Sequence, residues 1–332
     1  MSRDEQASWL PERLTTASGE NRRVGVEIEF AGVEPGVIAG LIVELYGGSC
    51  VEKTRFEIDV IDTRFGDFKL ELDSAYLKQL AAQEAAKLAP PSQLGSITAD
   101  LLARASALLV PWEIVAPPIA FAEVQDLCEL VARLRQRGAL GTRHALQFAF
   151  GVHLNPELPD LEHGTIVNYL RAYFCLYDWI VAREKIDPMR KLTPYIDHFG
   201  KPYIRRVIDW NYRPSQQRLI DDYLEYNPTR NRSLDMLPLF TQLDEARVRA
   251  VVDDDRINAR PTFHYRLPNC DIDNPGWNLD YPWQLWLEVE KLSNDESRLR
   301  EFCAAYRIVI DSLIPPLGRN SWLQQSAALL EG

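Results

Sequence analysis

The sequence predicts an α+β fold with a largely antiparallel sheet. Apolar and polar residues alternate in neighbouring segments of the chain. Residues 51–62 and 68–73 are one such pair, joined by a turn that contains Gly66. Segments of helical period are interspersed with these strands. The 332 residues are 46% hydrophobic, which is enough apolar area for a core. We expect a polar lead-in over residues 1–22 and a single domain over residues 23–332, because no long linker divides the chain.

The first strand, in the segment RVGVEIEFAGV over residues 23–33, has a pattern that recurs in later strands. Successive side chains of a strand point to opposite faces, so Glu27 and Glu29 share one face while valine, isoleucine and phenylalanine form the other. The same division is predicted at FKLELD (68–73), QFAFGVHLN (147–155) and TFHYRL (262–267). The plainest explanation of the polar face is an edge or surface strand in contact with solvent.

Helices are predicted from apolar periodicity and from proline, serine and glycine signals at their ends. The predicted ranges are 76–89, 96–109, 121–138 with an end at Gly138, 163–184, 242–252, 283–293, 296–313 and 320–330. Residues 187–235 are predicted to be irregular and to cover a cleft, because long loops in compact proteins tend to be functional. Asp235 is expected only to belong to this covering segment. Surface ion pairs are expected for Arg205, Arg206 and Arg213.

The charge balance argues against two classes of partner. Asp and Glu number 48 against 37 Lys and Arg, a formal net charge of −11, so the chain repels nucleic acid and anionic membranes. The sequence contains no signal-peptide core and no window of about 20 apolar residues, which favours a cytoplasmic protein. The five cysteines are far apart without C-x-x-C spacing, so neither a structural zinc site nor a disulfide framework is expected.

Ionisable groups concentrate on the polar strand faces. Two of the five histidines, His153 and His264, join Glu27, Glu29 and Asp73 there. Clustered carboxylates repel one another and stay ionised together only when cations lie between them. This combination favours a metal site over a solvated face. Mg²⁺ and Mn²⁺ both suit oxygen ligands, and histidine favours Mn²⁺.

Glu113 adds a further acid in an unusual context. It lies between Trp112 and Ile114, directly before an Ala-Pro-Pro turn, which is a poor place for a solvated carboxylate. A surface position at the end of a strand is equally open. Glu71 could either line the site or pair with Lys69.

These motifs, taken in their order, resemble those of amidoligases in the glutamine synthetase and glutamate–cysteine ligase superfamily of carboxylate–amine ligases. The motifs are VEIEF (26–30), WEIVAPP (112–118), GVHLN (151–155) and FHYRLPN (263–269), and YNPTRNRSLDMLPL (226–239) is similar to the amidoligase branch. The resemblance covers roughly residues 24–275. It implies a glutamine synthetase-like fold, in which a curved antiparallel sheet has helices packed on its outer face.

The resemblance also implies roles for individual residues. The implied metal ligands are Glu27, Glu29, Glu113, His153 and His264. The implied catalytic residues are Arg266, Asp73 and Glu113, the ATP contacts are Asn155 and Arg266, and the substrate contacts are Arg230 and Asn231. The family motif usually has Glu-Phe-Arg where this chain has His264, Tyr265 and Arg266. An imidazole can still bind Mn²⁺ or Zn²⁺, so the site either survives with a changed metal preference or has lost activity.

The activity that the resemblance implies is ATP-dependent amide formation with Mg²⁺ or Mn²⁺. A substrate carboxylate attacks the γ-phosphoryl group to give an acyl phosphate and ADP, and an amine then displaces phosphate. The partners would be a small-molecule or peptide carboxylate and an amine, with ammonia from a glutamine amidotransferase as one source. Two alternatives stay open: a metal-dependent hydrolase, because the same cluster can activate water, and a catalytically silent binding protein of the same fold.

Overall fold

The computed structural model of the chain describes residues 9–54, 56–72, 111–144, 150–186, 196–312 and 315–331. Within them, nine strands form one sheet whose paired strands are antiparallel, and helices accompany the sheet. This confirms the predicted mixture of helices with an antiparallel sheet. Asp73 and the helices predicted over 76–89 and 96–109 lie outside the described residues.

Strands and helices are numbered here in chain order. The strands are β1 (Arg23–Phe30), β2 (Ser49–Thr54), β3 (Glu57–Thr63), β4 (Gly66–Leu72), β5 (Trp112–Val115), β6 (Ile119–Ala120), β7 (Val152–Pro156), β8 (Leu234–Asp235) and β9 (His264–Tyr265). The helices are α1 (Pro35–Tyr46), α2 (Leu127–Gln136), α3 (His163–Glu184), α4 (Lys201–Ile208), α5 (Gln216–Tyr226), α6 (Leu237–Leu243), α7 (Glu245–Arg249), α8 (Asp280–Asn294), α9 (Glu296–Asp311) and α10 (Pro315–Glu331).

The strand order places β1 in the interior of the sheet. The order is β2-β3-β4-β5-β1-β7-β9-β8, and β6 also pairs with β1. Apolar and polar residues alternate in β1 as predicted, with Val24, Val26, Ile28 and Phe30 all buried. The explanation of β1 as an edge strand is wrong, because β1 has hydrogen-bonded neighbours on both sides.

Helices pack on the apolar face of this sheet. Tyr46 of α1 stacks on Phe68 of β4, with ring centroids 5.6 Å apart. Towards the other edge, Tyr173 of α3 and Trp286 of α8 both contact Tyr265 of β9. The even-numbered apolar side chains of β1 lie on this covered face, so its two carboxylates lie on the opposite one.

Several predicted helices have the expected limits. Helix α3 spans the predicted residues 163–184. The predicted helix over 121–138 is a 3₁₀ segment, Phe121–Asp126, followed by α2. Gly138 has a φ of 90°, the left-handed conformation that commonly ends a helix.

Other predictions were wrong in part. The segment 187–235 is not irregular throughout, because it contains α4, with a proline in its first turn, and α5, capped by Ser215. Helix α1 was not predicted, since PGVIAGLIVELY is apolar on all sides and has little period. The strand predicted over 262–267 is only two residues long, and Pro261 and Pro268 flank it without backbone N–H groups for a ladder.

Among the described helices, none combines the length and the hydropathy that a membrane span requires.

A buried ion pair joins the start of β1 to α8. Arg22 lies 2.7 Å from the Glu290 carboxylate, and both side chains are at most 1% exposed. Tyr169 of α3 and Trp286 donate further hydrogen bonds to Glu290, at 2.5 and 3.1 Å. The Arg22 guanidinium also donates to the carbonyl of Glu157, just after β7. The network therefore fixes two central strands to two helices.

Replacing Arg22 with methionine is expected to lower the free energy of unfolding by about 3 to 5 kcal/mol, because Glu290 would keep a buried charge without its cation. Urea unfolding followed by circular dichroism measures this change. Arg205→Met is the control: its ion pair with Asp311 is 45% and 43% exposed, and such pairs contribute about 1 kcal/mol or less. Equal losses in the two variants would contradict a structural role for the buried pair.

Candidate functional site

The candidate site lies on the polar face of the sheet, where β1, β5, β7 and β9 run side by side. In the strand register Glu27 is opposite His153, and Glu29 is opposite Glu113. Strand β9 pairs with β7 and brings His264 to His153, with ring centroids 5.2 Å apart. The structure therefore brings together all five residues predicted as metal ligands.

This half of the polar face is largely shielded from solvent. The side chains of Glu27 and Glu29 are only 12% and 16% exposed. His153, Asn155 and His264 are buried as well, so both faces of β7 are covered. A solvated outer face therefore does not explain these polar residues.

A row of glutamates crosses four strands of the sheet. The direct neighbours, from β3 to β1, are Glu57, Glu71, Glu113 and Glu29. Like charges in such positions destabilise a sheet unless a cation offsets them. At one end Lys69 lies 3.6 Å from the carboxylates of both Glu57 and Glu71. Glu71 thus pairs with Lys69, the second of its two alternatives. The other end of the row, Glu113 and Glu29, lies beside His153.

Glu27 accepts two hydrogen bonds from β7. His153 Nδ1 donates to Glu27 Oε2 at 2.7 Å, and Asn155 Nδ2 donates to Glu27 Oε1 at 2.8 Å. Burial alone would raise the pKa of Glu27, but the His153 hydrogen bond and the nearby His264 outweigh it and hold this pKa well below its ordinary value. Glu27 is therefore ionised at neutral pH. Because a carboxylate can only accept, the proton of His153 lies on Nδ1.

The other nitrogen of His153 faces a second carboxylate. Burial lowers the pKa of His153 below its ordinary value, although Glu29 and Glu27 oppose this effect. The neutral ring then has its lone pair on Nε2, which is 3.6 Å from Glu29 Oε1. The second oxygen of Glu29 accepts the backbone N–H of Gly151 at 2.7 Å and is held in place. A lone pair that faces an anionic oxygen is unfavourable, and a cation between them would make the arrangement favourable.

Asp235 is a site residue that the sequence analysis placed only in the segment predicted to cover the cleft. Strand β8 pairs with β9 so that Asp235 lies directly opposite His264, with Oδ2 3.7 Å from Nδ1. Asp235 is fully buried. The signal in the sequence was an acid between Leu234 and Met236, the same kind of apolar context that singled out Glu113.

Two predicted arginines lie close to these acids. Arg266 follows β9 and is near enough to His153 and Arg230 to disfavour their charged forms. Arg230 Nε is 4.0 Å from Asp235 Oδ2. Burial lowers the pKa of Arg230, and Asp235 opposes that shift. The site therefore combines clustered acids and imidazoles with guanidinium groups at one side.

Asn231 differs from the other predicted site residues. Its described hydrogen bonds use only the backbone, which accepts from the Asp197 amide at 2.8 Å and donates to Thr229 Oγ1 at 3.2 Å. Neither bond joins it to the acids and histidines. The ion pairs expected for the other three arginines are present: Arg205 with Asp311, Arg206 with Asp222, and Arg213 with Glu296.

The described residues offer two overlapping groups that could hold a metal ion. One is Glu27, His153 and His264, and the other is Glu29, Glu113 and His153; within each group the ligand atoms lie within 4.8 Å of one another. Ligands about 2.1 Å from one ion are about 3 to 4 Å apart, so a small closure of either group would suffice. Mixed carboxylate and imidazole ligands suit Mn²⁺ or Zn²⁺ better than Mg²⁺.

Comparisons with known proteins give a match to a protein family. A search of curated proteins and a search of solved structures each found none. A family model described as "Putative amidoligase enzyme" matches residues 20–288, which is most of the chain and includes every residue of the candidate site. That description indicates a ligase that forms amide bonds. It also agrees with the family that the sequence motifs resemble, and the chain therefore belongs to this amidoligase family.

Proposed function

We propose that this chain is an ATP-dependent carboxylate–amine ligase with a glutamine synthetase-like catalytic sheet. The observation that carries the proposal is the cluster of acids and imidazoles beside Arg266, and the description of the family as amidoligases supports it. Transfer of a phosphoryl group to a carboxylate requires one anion to approach another. A site for this reaction must therefore concentrate positive charge where the phosphates bind.

His153 belongs to both candidate metal groups but has only one lone pair with which to bind an ion. That lone pair is on Nε2 and faces Glu29, so we assign His153 to the group that contains Glu29 and Glu113. Glu27 and His264 remain to hold a second ion. Divalent ions bound there would neutralise phosphate oxygens and orient the transfer. Two imidazoles among the ligands favour Mn²⁺ over Mg²⁺.

The remaining residues act on ATP and substrate directly. The guanidinium of Arg266, which is permanently charged and planar, stabilises charge on the phosphoryl group as it moves. Asn155 is fixed by its hydrogen bond to Glu27 and contacts the nucleotide side of the site. Arg230 and Asn231 contact the substrate. The guanidinium of Arg230 is partly exposed, and its Nε is 4.0 Å from Asp235, which is too far for a hydrogen bond. Its donors can therefore bind a substrate carboxylate.

Removal of Arg266 tests the chemical role. Arg266→Ala is expected to lower turnover about 10²- to 10³-fold, because the moving charge would lose a positioned donor. The assay measures ADP release with Mn²⁺, ATP, a panel of amino-acid and dipeptide carboxylates, and hydroxylamine as the amine. Arg213→Ala is the control, since that arginine forms an exposed ion pair with Glu296.

The same assay separates the alternatives. A ligase releases ADP only when carboxylate and amine are both present, and it yields a hydroxamate. Phosphate release that needs neither would instead support the metal-dependent hydrolase. If no ADP appears and calorimetry detects no Mn²⁺-assisted ATP binding, the catalytically silent protein is the correct description.

Removal of Glu29 tests the metal centre apart from activity. At an Mn²⁺ concentration of about 100 times the Kd, the wild type should gain about 2.7 kcal/mol of unfolding free energy, and Glu29→Gln should gain far less. The amide can keep the Gly151 hydrogen bond and relieves repulsion with Glu113, so the metal-free variant should be at least as stable. Glu71→Gln, two places along the row from Glu29 and paired with Lys69, should respond to Mn²⁺ as the wild type does. Equal gains in the wild type and Glu29→Gln would exclude Glu29 as a ligand.

A further inference from the structure

The ring of His264 raises a question that the proposed function does not answer. Its Nε2 is 3.7 Å from Glu27 Oε2, and its Nδ1 is 3.7 Å from Asp235 Oδ2. His264 is buried, yet neither nitrogen has a hydrogen-bond partner among the residues that the structure describes. Buried polar atoms are nearly always satisfied, so this ring is arranged for a partner on at least one side.

Asp235 is held so that one oxygen faces His264. The register of β8 and β9 places the two residues directly opposite each other. Asp235 Oδ1 accepts the backbone N–H of Leu237 at 2.9 Å at the start of α6, which orients the carboxylate. Its Oδ2 is buried and has no hydrogen-bond partner in the described part of the chain. Arg230 Nε lies 4.0 Å from this oxygen.

The two carboxylates near His264 are not equivalent. Both oxygens of Glu27 already accept hydrogen bonds, from His153 and from Asn155. Asp235 Oδ2, by contrast, accepts no hydrogen bond from the residues that the structure describes. A neutral imidazole has one N–H and one lone pair. A lone pair on Nδ1 would face a buried carboxylate at 3.7 Å, which is unfavourable in a region of low dielectric.

We propose that Asp235 is a positioning residue that keeps the proton of His264 on Nδ1 and thereby makes Nε2 a metal ligand beside Glu27. A carboxylate behind a ligating histidine fixes both the tautomer and the ring orientation in many metal sites. The inference rests on the metal centre of the proposed function and extends it by one residue.

The pair also explains how histidine can occupy this position. A glutamate there would supply a ligand atom and a negative charge together. Here His264 supplies the ligand atom, and Asp235, one strand further on, supplies the charge. Their combination offers the bound cation the same net charge as a glutamate, although the ligand is softer and favours transition metals.

Cobalt titration of the full-length protein tests this role. Co²⁺ is added to metal-free protein, and binding is followed by calorimetry and by visible absorption. The wild type is expected to bind two ions, one at Glu29, Glu113 and His153 and one at Glu27 and His264. Asp235→Asn should weaken only the second event, about 10- to 100-fold, because the amide N–H would favour the tautomer with its proton on Nε2.

A second variant distinguishes positioning from a structural role. Asp235→Asn with His264→Glu should recover the second event, since a carboxylate ligand needs no tautomer. Asp222→Asn is the matched control: it replaces another buried aspartate, one paired with Arg206 and Arg218, and should leave both events unchanged. Circular dichroism reports whether each variant is folded.

The outcomes separate this inference from the proposed function. Unchanged binding of both ions by Asp235→Asn would overturn the positioning role and leave the metal centre intact. Loss of binding that His264→Glu does not restore would assign Asp235 a purely structural role. A wild type that binds no Co²⁺ would overturn the metal centre itself, and the inference with it.

Discussion

The feature on which the site depends is the burial of like charges on one half of a sheet face. Glu29 and Glu113 are opposite each other on neighbouring strands, and Glu27 and the lone pair of His153 lie beside them. Such groups can be close together at low dielectric only if hydrogen bonds and cations compensate them. The protein supplies part of this compensation itself. The N–H of Gly151 and the amide of Asn155 each donate to one of the β1 glutamates.

The remainder of the fold keeps these groups from moving apart. β1 is an interior strand, so its carboxylates are fixed by ladders on both sides. The Arg22–Glu290 pair ties the start of that strand to α8, and Tyr169 of α3 donates to the same carboxylate. The apolar side of the sheet is packed with aromatic rings against the same two helices. A stiff scaffold matters here because a site that cannot relax keeps its affinity for cations.

Helices beyond the family match contribute to this scaffold. The match ends at residue 288, and α9 and α10 follow it. Trp322 in α10 donates to the carbonyl of Cys175 in α3 at 3.0 Å, and its ring packs against Tyr306 of α9. These helices therefore support the helix that lies under β9. Tyr173 of that helix contacts Tyr265, the neighbour of His264 in β9.

The sequence by itself determined the two faces of β1, the limits of α3, and the residue types of the metal groups. Strand alternation and helix periodicity are local, so they can be derived from neighbouring residues alone. The motif order also indicated the family. Asn155, Arg266 and Arg230 are predicted as site residues because their positions match that order, whereas Asp235 stands in a segment without period and receives no specific role.

Only the tertiary structure decided which carboxylates share a site. Strand order sets Glu113 between Glu29 and Glu71. Lys69 then pairs with Glu57 and Glu71, at one end of the row, and leaves Glu113 and Glu29 to the candidate site. The pairing of β8 with β9, which are two residues each, sets Asp235 opposite His264. Contacts of this kind join residues that are distant in the chain. They depend on strand register and packing, which the local pattern of a single sequence does not specify.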